Sequence, residues 1–265
     1  MGSQPFLPIW PNTFTTYNKG LDVGIITNGS NISNDLVGVI CTTTTWIKIS
    51  LDAATEKTHT EMHLPKSGNV FNKIVENIKS LVSTKTSTTS DIAVGINFTI
   101  NETNYKEIVE ATRLAKNLGV GYILFKFMVF EERGVDGERF RPLENKARES
   151  IVEAKKLSSD SFAVVFRDIR NADVGWDKCL FNPLITTTCA SGDVYPCCHT
   201  KGREEFCYGN FLDKSFWEVW DGERRKQIYQ KVRDKECLKY CSFRYTPHNR
   251  VLNYLAQEQP HSNFV

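Results

Sequence analysis

The chain has 265 residues, with 33 Lys and Arg against 31 Asp and Glu, which gives a formal net charge of +2. This balance, without a dense basic run, argues against a nucleic-acid partner or an electrostatic membrane anchor. The apolar runs are too short for a spanning helix, which needs roughly 20 residues. The first residues also lack the basic and apolar regions of a secretory signal peptide. We therefore expect a cytoplasmic globular protein.

Strands and helices are predicted to alternate through the first 170 residues. Short β-branched runs predict strands, and apolar residues at helical spacing predict helices. The predicted strands are Asp22–Ile26, Trp46–Leu51, Ile92–Ile100, Val120–Val129 and Phe162–Phe166, and the predicted helices are a stretch from Asn34, Phe71–Leu81, Asn104–Leu118 and Glu144–Leu157. The pattern is typical of an α/β protein with a parallel sheet, either most of a barrel or an open sheet.

The pattern changes near residue 170, where we place a domain boundary between residues 1–170 and 171–265. A turn at residues 191–193 predicts a hairpin. One helix is predicted over Ser215–Arg233, and another begins near Cys237 and carries Val251 and Leu255. Most of the eight cysteines lie in this second part. In a chain without an export signal, they favour metal ligation over disulfides, because cytosolic thiols stay reduced.

Two pairs of cysteines could share one metal centre. Cys179 and Cys197 flank the predicted hairpin, which brings its two ends together. Cys237 and Cys241 are four residues apart, on one face of a helical turn. Four thiolates suit tetrahedral zinc or an iron-sulfur cluster, and spacing alone does not choose between them.

The residues around these cysteines resemble the auxiliary-cluster region of radical SAM enzymes, the SPASM/twitch domain. The resemblance rests on Cys179, Gly192-x4-Cys197, Cys198, Gly209-Asn210, the segment Trp217–Trp220 and Cys237-x3-Cys241. It implies one auxiliary 4Fe-4S cluster held by Cys179, Cys197, Cys237 and Cys241. The larger two-cluster form needs a further cysteine pair, and Ile228 and Lys231 stand at those positions. Cys198 and Cys207 are then spare thiols.

The resemblance extends upstream, where residues 24–29 and 49–52 resemble the third and fourth strands of the radical SAM barrel. It implies a partial barrel and, in an intact form, S-adenosylmethionine as a second cofactor. The predicted cofactor-binding residues are Ser50, Thr27, Asn28 and Asp52, at the strand ends where α/β barrels bind ligands. Each has a structural alternative, an ordinary hydrogen bond in a turn or at a strand end. No catalytic residue is predicted.

The Cys-x3-Cys-x2-Cys motif that binds the S-adenosylmethionine-cleaving cluster is absent. Before Cys179 there is only Cys41, which sits beside the fourth family strand and is interpreted as a small buried residue. We therefore expect an N-terminally truncated form that does not cleave S-adenosylmethionine by itself. Its partner would be the missing N-terminal half, or a second copy that pairs with the open edge of the first strand.

By this resemblance, an intact form uses a 5'-deoxyadenosyl radical to modify a peptide, a sugar or a small metabolite. The alternative function is a non-catalytic zinc-binding scaffold, or a partner-docking protein, derived from the same fold. A third alternative is an exported disulfide protein. Iron with labile sulfide, stoichiometric zinc, or loss of free thiols without metal would distinguish the three.

Overall fold

A computed structural model describes residues 15–63, 69–128, 141–168, 178–234, 237 and 246–257. These residues form two compact units, one that ends at Asp168 and one made of the residues after it. Cys241 and the ends of the chain lie outside the described residues. None of the helices in the described ranges is long and apolar enough to cross a membrane.

The first unit is a parallel sheet with helices in its crossover connections. Its strands are β1 (Gly24–Thr27), β2 (Trp46–Ser50), β3 (Ala93–Ile100), β4 (Tyr122–Phe127) and β5 (Ala163–Arg167). Its helices are α1 (Asn34–Thr43), α2 (Glu56–His63), α3 (Val70–Ser87), α4 (Ile108–Asn117) and α5 (Glu144–Lys155). The strands pair in the order β1-β2-β3-β4-β5, all parallel. The predicted α/β fold class is confirmed.

Side chains alternate between the two faces of this sheet because successive residues of a strand point to opposite sides. The core face carries Ile47 and Ile49 of β2, together with Phe98 and Phe125, whose ring centroids lie 5.3 Å apart. The opposite face, called the polar face below, carries half-buried Lys48, Ser50 and Lys126 beside apolar residues such as Trp46 and Leu124. The sheet therefore has one face that forms the hydrophobic core and one face that can contact a ligand.

The described part of the second unit is a small antiparallel sheet with three helices. Its strands are β6 (Thr187–Thr188), β7 (Asp193–Tyr195) and β8 (Gly209–Asn210), and its helices are α6 (Phe216–Trp220), α7 (Glu223–Arg233) and α8 (Thr246–Leu255). β7 lies between the other two strands. Its core contains Val194, Phe206 and Tyr208 from the sheet region, and Val219 and Ile228 from the helices. The predicted hairpin is present.

The structure divides the helix predicted over residues 215–233. Ser215 and Glu218 form a capping box at the start of α6, and α7 begins after an extended residue, Gly222. The guanidinium of Arg225 then stacks on the Trp220 ring, 3.6 Å from its centroid. The helix predicted as one element is therefore two helices, with the extended Gly222 between them.

Helix α2 was not predicted because its residues are mainly polar and only His59 is buried. A tertiary contact fixes its start, since the Glu107 carboxylate accepts hydrogen bonds from the Ala54 N–H at 2.7 Å and the Thr58 hydroxyl at 2.6 Å. Cys41 lies within α1 and not beside a strand, which corrects its predicted position. It is buried, as expected.

Candidate metal centre

Three of the four predicted metal ligands line one cavity in the second unit. The walls of this cavity include Cys179, Cys197 and Cys237. The fourth predicted ligand, Cys241, lies outside the described residues. The remaining residues in the walls of the cavity are Phe181, Asn182, Ile185, His199, Thr200, Val232 and Asn249. Three cysteines that are far apart in sequence thus line the same cavity.

The hairpin that leads to Cys197 depends on Gly192. This residue has φ +90°, and a Cβ added to it would lie 2.4 Å from Oδ1 of Asn210. The Asn210 side chain in turn donates to the carbonyl of Ser191 at 2.8 Å and to Asp193 Oδ1 at 3.0 Å. A side chain at position 192 would therefore be strained and would displace the residue that joins β8 to the hairpin.

Cys197 is held in a tight turn by Thr200, a buried residue. The Thr200 N–H and hydroxyl both donate to the Cys197 carbonyl, at 3.2 and 3.0 Å. The Thr200 hydroxyl oxygen also lies 3.8 Å from Cys197 Sγ. The sequence did not single out this threonine, although it follows the predicted ligand by only three residues.

Cys179 is held between the end of α7 and helix α8. Its N–H donates to the carbonyl of Arg233 at 3.4 Å, and Nδ2 of Asn249 donates to its Sγ at 3.6 Å. Burial raises the pKa of the Cys179 thiol, and the hydrogen bond from Asn249 partly opposes that rise. Sequence spacing gave no sign of Asn249, because it lies 70 residues from the sulfur that it contacts.

Zinc and an iron-sulfur cluster place different demands on the thiolates that bind them. Cys179 and Cys197 are free thiols. Within the described ranges, no three His, Cys, Asp or Glu residues are placed to hold one metal ion. A zinc ion requires all its sulfur ligands at about 2.3 Å, whereas an iron-sulfur cluster takes its thiolates on separate iron atoms and so needs them farther apart.

The other described cysteines of this unit, Cys189, Cys198 and Cys207, are not among the residues that line the cavity. Cys189, Cys198 and Cys207 are half-buried. The Cys207 thiol donates to the carbonyl of Gly209 at 3.6 Å, at the start of β8. His199 belongs to the cavity wall, although it is not a cysteine.

The predicted cofactor-binding residues lie at the carboxyl ends of β1 and β2, but two of them make turn contacts. Thr27 Oγ1 accepts from the N–H of Gly29 at 3.1 Å, and Asn28 Oδ1 accepts from the N–H of Ser30 at 3.1 Å. Ser50 ends β2 on the polar face of the sheet, in register with Asn97 of β3. The cofactor roles of Thr27, Asn28 and Ser50 stay predictions.

Asp52 follows β2 and contacts the neighbouring strand. Its Oδ1 accepts a hydrogen bond from the N–H of Thr99 at 2.6 Å. Burial raises the pKa of the Asp52 carboxyl above its ordinary value, and the hydrogen bond from Thr99 and the charges of His63 and Lys126 oppose the rise. The carboxylate is thus held in a place that disfavours its charge, and its cofactor role stays a prediction.

We expect Asp52→Asn to stabilise the chain at neutral pH. A carboxyl whose pKa is raised by folding favours the folded state when it is neutral, and that contribution is lost as the pH rises through the raised pKa. Asparagine keeps the acceptor for Thr99 without a charge. Urea unfolding should therefore give a higher midpoint for the variant at about pH 7, and the difference should vanish near pH 4. A difference that grows toward acid would contradict this interpretation.

The sequence of the second unit matches a known family model. Residues 186–243 match SPASM, described as an iron-sulfur cluster-binding domain. The matched range contains Cys197, Cys237 and Cys241 and begins after Cys179. No curated protein matches the chain in sequence.

Solved structures of similar fold cover most of the chain. SuiB of Streptococcus suis superposes with a TM-score of 0.63 at 12% identity, over 91% of this chain and 58% of SuiB. A second SuiB structure, bound to the precursor peptide SuiA, gives a TM-score of 0.61 at 13% identity, over 88% of this chain and 56% of that chain. The protein anSMEcpe, with bound AdoMet and the Kp18Cys peptide, gives 0.52 at 15% identity, over 84% of this chain and 63% of that chain.

The parallel sheet and the cysteine-lined cavity therefore define an α/β protein with an iron-sulfur cluster-binding domain. Its fold is that of the radical SAM/SPASM proteins, and its second unit carries the SPASM domain. The SPASM domain predicted from the cysteine motif is confirmed over residues 186–243. The chain spans less than two thirds of the length of either SuiB or anSMEcpe.

Proposed function

We propose that this chain holds one auxiliary 4Fe-4S cluster in a twitch-like SPASM domain. The ligands would be Cys179, Cys197, Cys237 and Cys241. The observation that carries the proposal is the cavity in which the first three of these residues meet, in a domain that matches an iron-sulfur family model. A cytoplasmic location, where thiols stay reduced, is part of the proposal.

The activity proposed for the intact form is radical modification of a peptide. SuiB with its precursor peptide and anSMEcpe with a bound peptide support this substrate class over a sugar or a small metabolite. S-adenosylmethionine would supply the 5'-deoxyadenosyl radical when bound. Ser50 and Asp52 would contact it on the polar face of the sheet, and Thr27 and Asn28 would shape the loop after β1.

Radical formation would require a partner segment with the Cys-x3-Cys-x2-Cys motif, which these 265 residues do not contain. The end of the sheet at β1 supports such a partner, since β1 pairs with β2 alone among the described strands. The Ile26 side chain on this strand is 61% exposed, and Leu21 just before it is also exposed. An unpaired edge with apolar side chains favours pairing with another strand.

We expect the chain by itself to self-associate through this edge. Light scattering after size-exclusion chromatography should show dimers or larger species, and Ile26→Lys should shift them toward monomer because it places a charge on the edge. Val152→Lys, on the exposed side of α5, is the matched control. If the unchanged chain is a monodisperse monomer, the proposed association through the edge of β1 is wrong.

Anaerobic reconstitution tests the proposed function. The chain should become brown and bind about four iron and four sulfide per molecule, as expected of one 4Fe-4S cluster. Colourless protein with stoichiometric zinc would instead support the non-catalytic scaffold. The chain alone should yield no 5'-deoxyadenosine from S-adenosylmethionine, and addition of the segment with the three-cysteine motif should restore its formation.

A further inference from the structure

We propose that Asn249 is a positioning residue of the cluster site that raises the reduction potential of the bound cluster. Its side-chain N–H donates to Cys179 Sγ, with 3.6 Å between Nδ2 and the sulfur. Asn249 is 0% exposed and lies in the cavity wall. This inference rests on the proposed function, because it requires that Cys179 bind the cluster.

The orientation of the Asn249 amide is fixed by a second contact. The backbone N–H of Phe181 donates to Asn249 Oδ1 at 3.0 Å. A backbone N–H can only donate, so the amide oxygen must face Phe181 and the NH₂ group must face the sulfur. Rotating the amide by half a turn would break both hydrogen bonds. The structure therefore presents Cys179 with a donor and not with an acceptor.

Helix α8 brings Asn249 to this position through contacts on the same segment. Asn253, one turn further along α8, accepts from the Lys178 N–H at 3.1 Å and donates to the Lys178 carbonyl at 2.6 Å. The His248 ring stacks on Phe181, with centroids 4.6 Å apart. Asn249 and Asn253 thus fasten the same helix to the same segment. Of these two asparagines, Asn249 is the one that donates to the sulfur, which the backbone groups of Phe181 and Asn182 also contact.

A hydrogen bond to a ligand sulfur affects the two redox states of a cluster unequally. The reduced cluster carries one more electron, so a donor at the sulfur stabilises it more than the oxidised cluster, and the reduction potential rises. Asn249 is buried, so water does not readily replace its N–H. Loss of this donor should therefore make the cluster harder to reduce.

The test is a redox titration of the reconstituted chain with dithionite as the electron donor, followed by electron paramagnetic resonance. Asn249→Leu and Asn249→Asp both remove the donor, and Asn249→Asp keeps the acceptor for Phe181. Both should shift the midpoint potential to more negative values than in the unchanged chain. Asn253→Ala is the matched control and should leave the potential unchanged. A potential that is the same in the Asn249 variants and the unchanged chain would overturn the proposal.

A second measurement covers the case in which the Asn249 variants bind no cluster. The unchanged chain, labelled with ¹⁵N in its asparagine side chains, should show a ¹⁵N coupling to the reduced cluster by electron-nuclear double resonance. Asn253→Ala should keep this coupling, and its absence from the unchanged chain would refute the role of Asn249. An unchanged chain that binds neither iron nor sulfide would instead refute the proposed function itself.

Discussion

Replacement of Cys179, Cys197, Cys237 or Cys241 by alanine is expected to remove most of the iron and sulfide that the reconstituted chain retains. Each iron of a 4Fe-4S cluster takes one protein thiolate, so one missing ligand exposes an iron to solvent and to chelators. Three of these residues line one cavity. The described residues of its wall include no further cysteine that could replace a lost ligand. Iron and labile sulfide per chain, measured after anaerobic gel filtration, check this expectation.

Cys41→Ala and Cys207→Ala are the controls for this series. Cys41 lies in α1 of the first unit, and its thiol points to the carbonyl of Leu81. Cys207 belongs to the same unit as the cavity but is not in its described wall. Both variants should keep the iron content of the unchanged chain. If Cys207→Ala loses the cluster while Cys237→Ala keeps it, the proposed ligand set is wrong.

Phe98→Ala is expected to destabilise the first unit by about 3–5 kcal/mol. Phe98 lies in the middle of β3, is 0% exposed, and packs against Phe125 of β4 at a centroid distance of 5.3 Å. Alanine would lose the transfer free energy of the ring and leave a cavity between two strands and their helices. Urea unfolding followed by far-UV circular dichroism should show the change as a lower midpoint.

Val152→Ala is the matched control in the same unit. The Val152 side chain on α5 is 58% exposed, so its truncation should change the free energy of unfolding by no more than about 0.5 kcal/mol. An equal effect of the two substitutions would contradict the difference in burial between Phe98 and Val152. The two transitions should be compared at matched protein concentration, because self-association would add stability.

Much of the first unit could be predicted because its strands and helices have distinct burial periods. The runs that became β2 to β5 are rich in apolar residues, and the apolar spacing of Phe71, Ile74 and Ile78 matches the buried side of α3. Parallel pairing follows once helices separate the strands. Helix α2 escaped prediction because a polar segment has no such period, and its start depends on Glu107.

In the candidate site, too, some features could be predicted from the sequence and others could not. The spacing around Gly192 and Cys197 indicated a hairpin that leads to a metal ligand, and the positive φ of Gly192 explains why glycine stands there. The spacing did not indicate Asn249 or Thr200. Both are buried polar residues whose only sign in sequence is their polarity, and the same sign is common to many surface residues.

The alternation of strands and helices and the cysteine motif could be predicted because both depend on residues that are close together in the chain. Contacts between distant segments were needed to find which side chains surround those cysteines, where the long predicted helix divides, and which face of the sheet forms the core. The physical reason is that hydrogen bonds such as that from Asn249 to Cys179, 70 residues apart, form only after hydrophobic packing brings separate elements together.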